Sequence, residues 1–179
     1  MPSARTYAGR KSSWQRTNSG AQLLVGVILI AVVGLFGLTR KSMFGIELIW
    51  PYAAMWGAVG WASVGLSLRP MVILVAFGLA QDVSFNAPLG SFVLVNLSTY
   101  AVSAALRETF DVDSDPVRAL FAAAAAMGCG TFVLWVLASS TADQVVQLVP
   151  LLAVYAVTLI LFVPVAGAFR LGDGSGGTL

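Results

Sequence analysis

The acidic residues are the first candidates for chemistry in this chain, because it has no histidine and a single cysteine, Cys129. Asp111, Asp113 and Asp115 have the D-x-D-x-D spacing that opens an EF-hand loop, where alternate carboxylates converge on one calcium ion. The position that such a loop needs as glycine is Pro116, however, and its twelfth position is Ala122 rather than glutamate. Calcium binding is therefore not expected, and these acids read as a solvated loop. Asp115 is placed to cap a helix that has Pro116 in its first turn. Cys129 lies in an apolar run with no second cysteine to form a disulfide or complete a thiolate site. Asn96-Leu97-Ser98 matches a glycosylation acceptor but also falls inside an apolar run, out of reach of modification. No nucleophile and base stand at a useful spacing, and the imidazole that most often moves protons is missing. No enzymatic activity, cofactor or metal site is expected.

Two carboxylates, Glu47 and Asp82, fall within apolar segments. Ionisable groups at membrane depth are costly, so both are functional suspects by default. Each lies near the end of its segment, within reach of headgroup water. For Asp82 a structural role, capping or bonding neighbouring backbone, is expected ahead of transport or proton movement.

The elements that position these residues are apolar. Of 179 residues 58% are hydrophobic and 10% charged, and the mean hydropathy is +0.87, whereas a globular chain is roughly 25% charged. The expected fold is all-α: a polytopic membrane protein with about six transmembrane helices. Residues 1–20 read as a polar tail, 21–169 as the membrane domain and 170–179 as a second short tail. Ala21–Leu38 carries no charge, and eighteen residues rise about 27 Å as a helix, close to the roughly 30 Å hydrocarbon core. A cleaved signal peptide is disfavoured by the length of this run and by Arg40 and Lys41 directly after it. The second span is expected over Ile46–Leu68, entered through Trp50, Pro51 and Tyr52 with the character of an interfacial aromatic belt. A third, Pro70–Ala80, reads as interrupted at its far end by Gln81, Asp82 and the turn formers Asn86 to Gly90. Ser91–Leu106, Ala119–Ala138 and Val145–Phe169 are the fourth, fifth and sixth.

Six spans place Arg5, Arg10, Lys11, Arg16, Arg69, Arg107, Arg118 and Arg170 on one side and only Arg40 and Lys41 on the other. Cytoplasmic loops retain positive charge, so both termini are expected in the cytoplasm. The net charge of +2 and pI near 9.0 are thus a topology signal rather than a nucleic-acid patch, because the basic residues are scattered over segment ends.

Helices in lipid associate through small residues that let backbones approach. Ala122, Ala126 and Gly130 recur every four residues on the fifth span, as a candidate helix-packing or partner face. Gly26 and Gly34 stand at double that spacing on the first, and Gly57, Gly60 and Gly65 crowd the second. Asn96, Tyr100 and Ser103 share one face of the fourth, which is expected to be buried against protein.

The stretch from Arg69 to Tyr100 resembles the MreD family of bacterial rod-shape-determining membrane proteins. The residues that carry the resemblance are Gly78 and Asp82 on the third span, Pro88-Leu89-Gly90 in the loop, and Tyr100 on the fourth. Trp50-Pro51, Arg69-Pro70 and Pro164 on the last span extend it. Ser84, Phe85 and Asn86 depart from the family's more usual leucine and small residues, and the N-terminal tail is longer than in many members. The resemblance implies a fold similar to the six-helix substrate-binding subunits of energy-coupling-factor transporters. It also implies a non-enzymatic role in the cell-elongation machinery of the bacterial inner membrane, with MreC, MreB, RodA and penicillin-binding protein 2 as partners. The alternative is a transporter subunit that binds a small vitamin-like molecule; against it, the non-cytoplasmic loops offer few polar groups to orient a ligand. A small lipid-handling, flippase-like protein is a third class.

Overall fold

The computed structural model describes residues 19–38, 42–43, 46–47, 50–110, 115–141 and 147–169. Both expected tails lie outside them apart from Ser19 and Gly20, as do Arg40, Lys41, Asp111, Asp113 and the side chain of Glu47. The chain runs through α1 (Ser19–Leu38), a minimal antiparallel pair β1 (Ser42–Met43) and β2 (Ile46–Glu47), α2 (Ala53–Trp61), α3 (Leu68–Phe85), α4 (Ser91–Thr109), α5 (Pro116–Thr141) and α6 (Leu148–Phe169). Ser42 pairs with Glu47 and Met43 with Ile46.

Four of these helices are long and apolar enough to cross a membrane: Gly20–Gly37, Leu68–Phe85, Pro116–Ser140 and Leu148–Phe169. Their outward faces carry Leu24, Ile28 and Leu35 on α1, Val72 and Leu79 on α3, Phe121 and Phe132 on α5, and Leu152 and Ile160 on α6, all exposed. In water such a surface would aggregate; in a bilayer it is the face that meets acyl chains. The fourth element, α4, has nineteen residues, a rise of about 28 Å. It is less apolar because Asn96, Thr99, Tyr100 and Ser103 all lie on its buried face.

The second element departs most from expectation. Where the composition suggests a full span over Ile46–Leu68, the chain makes strand β2 of the β1–β2 pair, a nine-residue helix and a short 3-10 helix, Ala62–Val64. Nine helical residues rise only about 14 Å, half of the hydrocarbon core. Gly65, at φ +75°, ends the element. Every residue of α2 is buried. It touches α1, α3, α4, α5 and α6, which contact one another in the cyclic order α1, α3, α4, α5, α6. The molecule is thus a ring of five long helices around a short axial one. A helix apolar on all sides reads alike as a span or a buried core element; here it is the latter.

Small residues make that axis possible. A methyl added to Gly57 would stand 2.7 Å from Ile30 Cδ1, and one on Gly60 would overlap Phe169. On α1, Gly26 lies against Trp61 and Phe169, whereas Gly34 has open space around it. The two therefore do not act as one stripe. Polar anchors fix the axial helix further. Trp56 Nε1 donates to the Thr158 carbonyl at 2.9 Å, the Tyr52 backbone N–H donates to Thr158 Oγ1 at 3.1 Å, and Trp50 Nε1 donates to the Val33 carbonyl at 2.7 Å.

These contacts also fix direction. Gly26 meets Trp61, Gly57 meets Ile30 and Trp50 meets Val33, so α1 and α2 are antiparallel. Tyr52 meets Thr158 and Gly60 meets Phe169, so α2 and α6 are parallel. The start of α1 and the end of α6 consequently lie at one end of the bundle. The turn between α3 and α4 lies at the other.

Candidate functional site

The residues singled out between Gly78 and Tyr100 come together as the clasp of the α3–α4 hairpin. The third segment does not break at Gln81 and Asp82 as its polarity suggests, because both side chains find partners on α4. Gln81 Oε1 accepts from Asn96 Nδ2 at 3.1 Å, and the same nitrogen lies 3.5 Å from the Leu74 carbonyl. The helix therefore continues to Phe85 and closes with Asn86 in the left-handed conformation, φ 51°. The irregular stretch is confined to Asn86–Gly90.

Asp82 is 0% exposed. Its Oδ2 accepts from the Gly90 backbone N–H at 2.7 Å and its Oδ1 from that of Phe92 at 2.8 Å. Gly90 is the N-cap residue of α4, so a carboxylate from the preceding helix does what a capping side chain does locally. It satisfies N–H groups that the first helical turn leaves without partners, and its charge faces the positive end of the helix dipole. The Phe92 ring packs tilted against Phe85 and edge-on against Tyr52, at centroid distances of 5.4 and 5.6 Å. Apolar surroundings strengthen the two charge-assisted bonds.

The turn residues follow from the same geometry. The Pro88 carbonyl accepts from Ser91 N at 3.1 Å, and Gly90 sits at φ +95°, ψ −9°. Those angles suit the third position of a type II turn, which favours glycine. A Cβ at Gly90 would meet nothing within 4 Å; its requirement is conformational. Gly78 is the opposite case. A Cβ there would lie 2.6 Å from both N and Cα of Val93, so the glycine sets how closely α3 and α4 approach. Tyr100 fastens the hairpin further along. Its hydroxyl accepts from Ser67 N at 2.9 Å and donates to the Gly65 carbonyl at 2.8 Å, holding the link that joins the axial element to α3.

The small-residue stripe of α5 is turned inward. Ala126 is fully buried and Gly130 is buried beside Thr99 of α4, where a methyl would overlap the threonine Oγ1. Ala122 is half-buried. These positions pack α5 against the molecule's own core. Asp115 caps α5 through Val117 N at 2.9 Å, and its 3.9 Å pair with Arg118 is exposed and contributes little. Among the described residues no three of His, Cys, Asp and Glu come together around a metal position.

Ser67 is a part of the clasp that the sequence does not single out, and Gly65 and Gln81 serve it otherwise than as the packing glycine and the helix breaker expected. Ser67 and Gly65 contribute backbone atoms, which carry no residue-type signal. Gln81 contributes its side chain, a polar group in an apolar segment whose partner Asn96 lies on the next helix. Comparison with protein-family models, curated proteins and solved structures found no match to this chain.

Proposed function

We propose that this protein is a non-enzymatic component of the bacterial cell-elongation machinery, similar in role to MreD. In this reading it holds MreC, and with it MreB filaments, RodA and penicillin-binding protein 2, at fixed positions in the inner membrane during lateral wall growth. The observation that carries the reading is the use made of Asp82. The buried carboxylate of the α3–α4 hairpin has each oxygen engaged by a backbone N–H, as suits a device that fixes shape rather than one that shuttles protons or holds a substrate. The residues that carry the resemblance to MreD are also those of the clasp. They support a rigid hairpin whose turn presents exposed Val83, Phe85 and Leu89 as a surface for a neighbouring membrane protein. The inward α5 stripe leaves that turn the better candidate contact. Arg69, Arg107 and Arg118 stand near the opposite end, the cytoplasmic one in this reading.

Depletion in a rod-shaped host tests the proposal. Cells should round up through loss of lateral wall synthesis, with no rescue by any added nutrient. Rods that persist and a growth defect cured by one vitamin would favour the transporter subunit instead.

A further inference from the structure

A crevice of about 380 Å³ opens between the start of α5 and the last turns of α6. Its floor is Val59 and Gly60 of the axial helix, and its walls are Leu120 of α5 and Phe162 and Ala166 of α6. Among the described residues of its lining the one charged group is Arg107, in the last turn of α4. Val117, Leu120 and Val163 around it are themselves 44–59% exposed, so the crevice opens sideways on the surface that meets lipid.

We infer that this crevice seats one acyl chain of an anionic phospholipid, with the phosphate of its headgroup against the Arg107 guanidinium. Three observations point to this occupant. An apolar cavity does not hold water stably, and one open to the bilayer fills with hydrocarbon. The volume is within the range of sites that hold small amphiphiles. The charge stands at the end of the bundle where Arg69, Arg107 and Arg118 gather, and basic pockets between transmembrane helices at such an end take anionic headgroups. A guanidinium suits a phosphate, which it can engage with two parallel N–H bonds. Arg107 lines the crevice and Arg118 does not, so the discrimination between headgroups falls to Arg107. Because the floor of the crevice is Gly60, a bound chain would touch the axial helix, coupling the lipid to the core.

The test is equilibrium binding of phosphatidylglycerol and phosphatidylcholine with identical acyl chains to the purified full chain, followed by native mass spectrometry. The wild type should prefer phosphatidylglycerol by about fivefold or more. Arg107→Gln should abolish the preference while phosphatidylcholine still binds, Arg107→Lys should keep most of it, and Arg118→Gln should leave it unchanged. Ala166→Phe, which fills the crevice, should weaken both lipids. Melting temperature in phosphatidylcholine alone shows whether each variant is folded, and if Arg107→Gln is not, Arg107→Lys and Ala166→Phe decide the matter. Equal binding of the two lipids by the wild type would overturn the proposal, as would a preference that survives Arg107→Gln or falls equally with Arg118→Gln. Competition by soluble glycerol phosphate as strong as that of the intact lipid would also overturn it, since the chain would then contribute nothing.

Discussion

Removing the Asp82 carboxylate leaves the N–H groups of Gly90 and Phe92 without their acceptor, and an orphaned buried donor costs roughly 1–3 kcal/mol. Asp82→Ala should therefore lower the melting temperature in detergent sharply, whereas Asp82→Asn, which keeps one acceptor oxygen, should do so less. Equal melting of Asp82→Ala and wild type would remove the clasp from the account. Tyr100→Phe deletes one bond given and one received, and should cost about 1–2 kcal/mol. Its local effect should be faster amide hydrogen exchange at Ser67. A third change acts on the backbone. Gly90→Val forces a β-branched residue to φ +95°, a strain on the order of 1–3 kcal/mol, and should reduce the amount of protein recovered from the membrane. The importance of Asp82, Gly90 and Tyr100 was legible in the sequence through residue type and spacing. What each one bonds was not, because most of their partners are backbone atoms brought close only by the packing of α3 on α4.

Helix against helix, the glycines divide into those that space the bundle and those that do not. Gly78→Leu should push α3 from α4, since the obstructing atoms are the backbone of Val93 and cannot rotate away. Gly34→Leu, on an open face of α1, should be tolerated in the same expression and melting assays. Gly130→Leu and Ala126→Leu should behave like Gly78→Leu and lower the protein's own level. Four of the long helices, α1, α4, α5 and α6, could be read from the sequence to within about three residues at each end, because an apolar run of about twenty residues has one common use in a membrane protein. The second segment could not be read this way. Its hydropathy resembles that of the spans, and what shortens it is a set of contacts that composition does not record: Gly57 on Ile30, Gly60 on Phe169, and the positive φ of Gly65. Polarity misled in the other direction at Gln81 and Asp82, where side chains that suggest a broken helix are absorbed by a neighbouring one.

For the molecule as a whole, the alternation of the helices puts the last turns of α4 and α6 at one end and the last turn of α5 at the other. Reporter fusions after Arg107 and after Arg170 should report cytoplasm, and a fusion near Ala142 the far side. The chain changes ends of the bundle between Trp50 and Arg69, although the axial helix is a core element rather than a span. The central claim is that this ring of helices holds other membrane proteins in place, and its most direct measurement is the set of proteins recovered with the tagged chain after gentle detergent extraction. The account predicts that MreC is recovered, with RodA and penicillin-binding protein 2, and that replacing the exposed turn residues Val83 and Leu89 by serine lowers that recovery while the tagged chain stays abundant. Recovery of an ATPase pair and a bound small molecule, with MreC absent, would contradict it.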